Sequence, residues 1–222
     1  GLQAFLPIIK EPFDRNLALC LAGHVLEKLG SQGSWSWPAF LDMLLEAIKD
    51  ADVWIRHAAV TAVLHAAQLP EFAPFADRAA ELLHSVITEG NAEVEIAAAV
   101  LGRLCRHQAE HILDVDKHHM IFLTSLPIAE DLDLAGPSHE LLFEFVQEEH
   151  SFFVKQIERI CRVFLEIYDQ ETDALSSKIC LFFLQLGQDR LRQLQPSFSE
   201  QQWKRIQKIL RDANQLSTSS KT

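Results

Sequence analysis

Asp52-Val53-Trp54-Ile55-Arg56-His57-Ala58-Ala59 is the stretch on which the fold of this chain turns. It joins an acid, apolar residues, an arginine and a pair of small residues. The acid suits the N-terminal end of a helix dipole. Val53 and Ile55 are expected to pack inward, and Ala58 and Ala59 let a neighbouring helix approach closely. Asn91-Ala92-Glu93-Val94-Glu95-Ile96-Ala97-Ala98 echoes the pattern without the arginine.

Outward from residue 52, apolar residues recur at i, i+3, i+4 and i+7, with no convincing strand-like alternation. The helix opened by Asp52 should run over 52–69, break at Pro70, and be followed by a partner over 74–88 before Gly90. On its N-terminal side, Leu17, Leu21, Val25 and Leu29 stripe a helix ended by Gly30, and Pro38 opens a second through Leu41, Leu44, Leu45 and Ile48. On its C-terminal side lie helices over 91–107 and 116–126. Ala135-Gly136-Pro137 is read as an interruption, after which Ser138 caps a helix to about 150, paired with one over 152–168. A fifth pair begins near Thr172 and ends in a helix whose Ser199-Glu200-Gln201-Gln202 has capping-box spacing.

Hairpins of roughly 40 residues have the period of HEAT or armadillo arrays. The expected fold is therefore all-α: a right-handed HEAT-repeat solenoid of about five hairpins over 1–215, with repeats near 1–50, 51–90, 91–127, 128–169 and 170–214. Residues 216–222 are expected to be a disordered polar tail. An ordinary helical bundle is the competing architecture.

The 222 residues carry a net charge of −11, which argues against nucleic-acid binding. Residues 109–173 hold 15 acids against 4 bases, so this one block accounts for the whole net charge. An ordinary solvated face mixes signs, whereas this block is one-sided. Glu130, Asp131, Asp133, Glu140, Glu144, Glu148 and Glu149 are its candidate binding residues. No apolar run reaches the ~18 residues of a membrane helix, and Gly1-Leu2-Gln3 does not open like a signal peptide, so neither membrane nor export is expected. Cys20, Cys105, Cys161 and Cys180 are widely spaced among apolar residues and read as buried thiols in a reducing compartment.

His107-Gln108-Ala109-Glu110-His111 fits the H-x-x-E-H pattern of inverted zinc peptidases. It falls where an apolar helix ends and lacks an evident third ligand, so neither a metal nor an enzyme is expected. His118-His119 is read as one partly buried and one exposed imidazole. No nucleophile elbow, Gly-rich phosphate loop or calcium loop occurs, and no cofactor is implied. Trp35 and Trp37 precede a helix start and are expected to pack on their own hairpin.

Phe13-Asp14-Arg15-Asn16-Leu17-Ala18-Leu19-Cys20, the 52–59 octapeptide, Leu126-Pro127-Ile128-Ala129-Glu130-Asp131 and Phe198-Ser199-Glu200-Gln201-Gln202 together resemble the C-terminal HEAT repeats of the importin-β (karyopherin-β) superfamily, nearest to its importin-4 and importin-5 branch. The family shows a similar order of a "DxxxxLC" helix, a "VRxAA" helix, an "LPLxED" turn and a closing "SxEQ" helix. Gly136-Pro137 departs from the continuous acidic helix that follows the turn there.

The resemblance implies a fragment of a longer nuclear transport receptor shuttling between cytoplasm and nucleus. Basic cargo such as ribosomal proteins or histones would be its ligand. Ran-GTP and nucleoporins would be partners of the full-length protein, with Ran contacts mainly in earlier repeats. A HEAT scaffold subunit of a multiprotein complex is the alternative. Leu2, Phe5, Leu6, Ile8 and Ile9 would then be an apolar end, since a solenoid normally closes with a polar cap.

Overall fold

The computed structural model describes residues 12–32, 37–90, 92–169 and 172–219. Those residues form eleven α-helices with no strand among them, so the fold is all-α. Leu2 to Ile9 and Trp35 lie outside the described residues, as does the Trp37 side chain. None of the described helices is long and apolar enough to cross a membrane. The chain divides into two compact units, Gly1–Leu134 and Ala135–Thr222.

The first unit contains α1 (Pro12–Leu29), α2 (Trp37–Ala47), α3 (Val53–Ala66), α4 (Ala76–Glu89), α5 (Val94–Gln108) and α6 (Val115–Thr124). α1 packs on α3 and α3 on α5, while α2 packs on α4 and α4 on α6. Each helix therefore meets the one two places along, and α4 and α6 also pack on α5. Polar rungs repeat the same step: Arg15 to Asp50 at a separation of 35, Arg78 to Asp42 and Lys117 to Glu81 at 36, and Arg56 to Glu93 at 37.

Asp52 caps α3 as its position suggested, accepting from the Trp54 and Ile55 amides at 2.8 and 3.4 Å. Ile55, Ala58 and Ala59 are buried, but Val53 faces outward at 40% exposure. Val53 precedes Ile55 by two residues, about 200° round the helix, so the two cannot share one face. α1 is also turned from the expected stripe: Leu17, Leu21 and Leu29 are exposed, and Ala18, Leu19, Ala22 and Leu26 are buried. Close approach explains the choice, since a Cβ on Gly23 would stand 3.5 Å from the Ala62 Cβ. α4 ends at Gly90, whose φ of 70° is the left-handed cap that glycine adopts without strain.

The second unit holds most of α7 (Leu132–Gln147), then α8 (Ser151–Lys155), α9 (Ile157–Ile167), α10 (Asp173–Leu194) and α11 (Glu200–Ser219). The expected break at Gly136-Pro137 is absent, because α7 runs through both residues. Asp131 starts the helix early by accepting from the Asp133 and Leu134 amides, both at 3.2 Å. Pro137 then forfeits only one hydrogen bond, to a carbonyl in the exposed first turn. The helix expected over 152–168 is broken at Gln156 into α8 and α9, and α10 kinks at Gly187. α11 is helical to Ser219, so 216–219 extend it rather than starting a disordered tail; 220–222 lie outside the described residues.

Phenylalanines make this unit's core. Phe145 stacks on Phe153 at 4.6 Å, and Phe164 meets Phe143 and Phe182 at 6.1 and 5.0 Å. Tyr168 donates to Asp212 at 3.0 Å and ties α9 to α11. Ser199 and Gln202 exchange hydrogen bonds at 2.9 and 3.2 Å, completing the expected capping box.

Cys105, Cys161 and Cys180 are buried, and burial pushes the Cys105 and Cys161 thiols up to about 12. Cys20 is exposed, against the sequence expectation, because it lies on the outer side of α1.

His118 and His119 are both fully buried, where one exposed ring was expected. His118 packs edge-on to His84 at 5.6 Å, with Nε2 3.4 Å from Glu81. Burial lowers the His118 pKa, outweighing the opposing pull of Glu81, and burial also lowers that of His65. Above an unfolded-state value of about 6.5, neither state holds these protons. Below it the unfolded chain binds them first, so stability should fall as pH drops, by at most about 1.4 kcal/mol per pH unit for each site. Urea midpoints should therefore drop from pH 7.5 to 5.5, and His118→Leu should flatten the dependence. An unchanged midpoint would contradict this account.

Candidate functional site

Leu126 to Asp131 folds as a turn whose backbone amides converge on one carboxylate. Glu95, from the first turn of α5, accepts from the amides of Ala129 at 2.9 Å, Glu130 at 3.0 and 3.1 Å, and Asp131 at 2.8 Å. Consecutive N–H groups aimed at one point form an anion-binding concavity, and here the chain's own glutamate fills it. The backbone of the "ED" turn is thereby satisfied, and the Glu130 side chain is left to face solvent.

Beside this turn an open cleft of about 480 Å³ is lined by His57, Glu95, Glu130, Asp131, Leu132 and Asp133, together with Ala92 and Ile96. No lysine or arginine lines it. α3 supplies His57, the start of α5 and the residues just before it supply Ala92, Glu95 and Ile96, and the turn into α7 with its first residues supplies Glu130 to Asp133. Glu130 and Asp133 are exposed, Asp131 is committed to capping α7, and Leu132 is 81% exposed. The cleft thus offers carboxylates around an apolar side chain, an arrangement suited to the ammonium head and aliphatic stem of a lysine.

The seven acids singled out in the sequence do not form one set. Glu130, Asp131 and Asp133 belong to the first unit, and Glu140, Glu144, Glu148 and Glu149 to the second. Glu140 is paired with Lys178 at 3.0 Å, whose ammonium also lies 5.8 Å from the Phe143 ring centre. Glu144, Glu148 and Glu149 are exposed near the end of α7, with Glu149 at a φ of 53°. Sequence reasoning missed Glu95 and His57. The sole sequence cue to Glu95 was its place in the echo of the octapeptide, one turn into a helix.

His107 is exposed in the last turn of α5, and His111 follows in the short 3-10 turn Ala109–His111. The two lie on different elements, so they lack the one-turn register of a zinc helix. Among the described residues no three His, Cys, Asp or Glu side chains converge as metal ligands. Gln108, between them, is buried and donates to the Ala67 and Leu69 carbonyls at 3.0 and 2.9 Å, tying α5 to the end of α3.

No protein-family model matches this chain, and no curated protein matches it.

Proposed function

We propose that this chain is a HEAT-type solenoid segment of a nuclear transport receptor, non-enzymatic, that binds a basic segment of a cargo protein. The observation that carries the reading is the acidic cleft at the 129–133 turn, open to solvent and without a lysine or arginine in its lining. The two-places-along packing of α1 to α6, and rungs recurring at separations of 35 to 37, support a repeat array. The importin-like order of short motifs supports the transport role, with Ran-GTP and nucleoporins as partners of a longer receptor. Basic cargo of the ribosomal-protein or histone kind suits the charge.

Glu130→Lys with Asp133→Lys reverses the cleft without touching the Asp131 cap or the Glu95 anchor. Exposed pairs contribute at most about 1 kcal/mol each, so the double change should weaken a Lys-rich histone-tail peptide about tenfold. Parent binding should weaken as salt rises, because screening acts over about 8 Å at physiological ionic strength. Glu144→Lys, Glu148→Lys and Glu149→Lys together test the second unit separately. Circular dichroism checks that each variant is folded. Unchanged affinity in the double variant, or parent binding indifferent to salt, would reject the cleft as the cargo site.

A further inference from the structure

The C-terminal halves of α1, α3 and α5 lie side by side. A Cβ on Gly23 would meet Ala62 at 3.5 Å, one on Gly30 would meet Leu69 at 3.5 Å, and Gln108 bonds the carbonyls of Ala67 and Leu69. These half-helices carry His24, Lys28, His65, Arg103, Arg106 and His107, and Glu27 is the one acid among residues 21–29, 60–66 and 101–108. Glu27 is already engaged by Lys28 at 2.7 Å and by His24 at 3.4 Å. In a chain of net charge −11 this layer has the opposite sign.

Cations are expected near helix C-termini, where they suit the dipole, and that alone would explain exposed ones. Arg103 is different. It is half-buried, yet it makes no hydrogen bond or ion pair with any described residue. Arg15, Arg56, Arg78, Arg162 and Arg205 each sit on a carboxylate. With 31 acids for 20 bases, a partly desolvated arginine left without one is unexpected. Taking a guanidinium partly out of water without a counter-charge costs free energy that a ligand carboxylate would recover. The charge of Arg103 reaches His65 on α3. Burial holds the His65 pKa down, and the charges of Glu27, Arg103, His24 and Lys28 all act on the ring.

We infer that the α1–α3–α5 face is a docking surface for an acidic protein segment, with a carboxylate of the partner seated on Arg103. Three helices at 8–10 Å spacing present a row of about 20 Å, the length of roughly six extended residues. A nucleic acid fits less well, because Lys28, Arg103 and Arg106 are the only permanent cations in these half-helices, and phosphate backbones need more of them. The inference rests on the packing of α1, α3 and α5 and not on the acidic cleft, so either can fail alone.

A labelled short polyglutamate peptide, titrated against the full chain by fluorescence anisotropy, tests this. Arg103→Gln should weaken binding about tenfold and Arg103→Lys less, since only arginine offers a bidentate fork. Arg211→Gln removes the same charge from an exposed site on α11 and should leave binding unchanged. Arg103→Gln should also leave the urea midpoint unchanged or raised, because it breaks no bond within the fold. Equal weakening by Arg211→Gln, parent-like binding by Arg103→Gln, or an Arg103-dependent preference for a single-stranded oligonucleotide would each overturn the proposal.

Discussion

Arg56→Ala should cost about 3–5 kcal/mol of folding stability, because it leaves a buried carboxylate without its partner. Glu93 is 2% exposed, and Arg56 approaches it at 3.3 Å through one terminal nitrogen and at 3.4 Å through Nε. The same guanidinium donates to the carbonyls of Asp50 and Ala51 at 3.0 and 3.1 Å, which fixes the α2–α3 turn to the start of α5. Truncating it frees two carbonyls near solvent, which is mild, and strands Glu93, which is not. Arg56→Ala with Glu93→Ala should therefore recover most of the loss, since the double change removes the orphaned charge. Urea denaturation of the parent, both single variants and the double variant measures this. A loss below about 1 kcal/mol in Arg56→Ala, or no recovery in the double variant, would show that the pair is not what holds α5 to α3.

That arginine illustrates what the sequence makes legible. Asp52 and the small Ala58 and Ala59 are local features: a cap acts within three residues, and a small side chain permits approach whatever the neighbour is. They were readable, as were the helical period and the end of α4 at Gly90. The partner of Arg56 was not, because the echo at 91–98 lacks an arginine and nothing local says that its buried Glu93 answers the arginine of the preceding hairpin.

Rotation about a helix axis was also out of reach. Leu17 and Leu21 are as apolar as a core stripe, yet α1 turns Ala18 and Ala22 inward, since closeness to α3 is limited by backbone separation. At 136–137 the rule that Gly-Pro breaks a helix lost to a cap six residues earlier, at Asp131. His118 and His119 failed for a different reason. Adjacent positions on a helix differ by about 100°, so one outward ring is the natural expectation, but α6 is enclosed widely enough to cover both.

The candidate site was half legible. One-sided charge in 109–173 pointed to the region, and Glu130, Asp131 and Asp133 do gather at one cleft. Net charge carries no information on pairing, so the Lys178 partner of Glu140 and the capping duty of Asp131 were invisible. Glu95 could not be found either. Its role depends on three amides some 35 residues away, and amide direction is set by the turn, not by residue type.

Gly102→Val should destabilise the first unit by about 3 kcal/mol, at the upper end of the range for overpacking a core. Gly102 lies mid-helix in α5 and is fully enclosed, where alanine would ordinarily gain about 1 kcal/mol of helix propensity. Here a Cβ would fall 2.5, 2.6 and 2.9 Å from three atoms of the Phe122 ring, and that ring is itself fully buried. It cannot swing into solvent, so α6 must shift or the ring must leave its rotamer. In Gly102→Ala the propensity gain offsets part of the clash, so its loss should be smaller than that of the valine. The decisive comparison is a double-mutant cycle with Phe122→Leu, which shortens the side chain at the point of contact. Phe122→Leu alone should destabilise by leaving a gap, whereas in the Gly102→Ala background the added methyl fills part of that gap and the two losses should not sum. A coupling near zero would mean that α5 and α6 relax apart at little cost, and that the missing Cβ at 102 does not set their spacing.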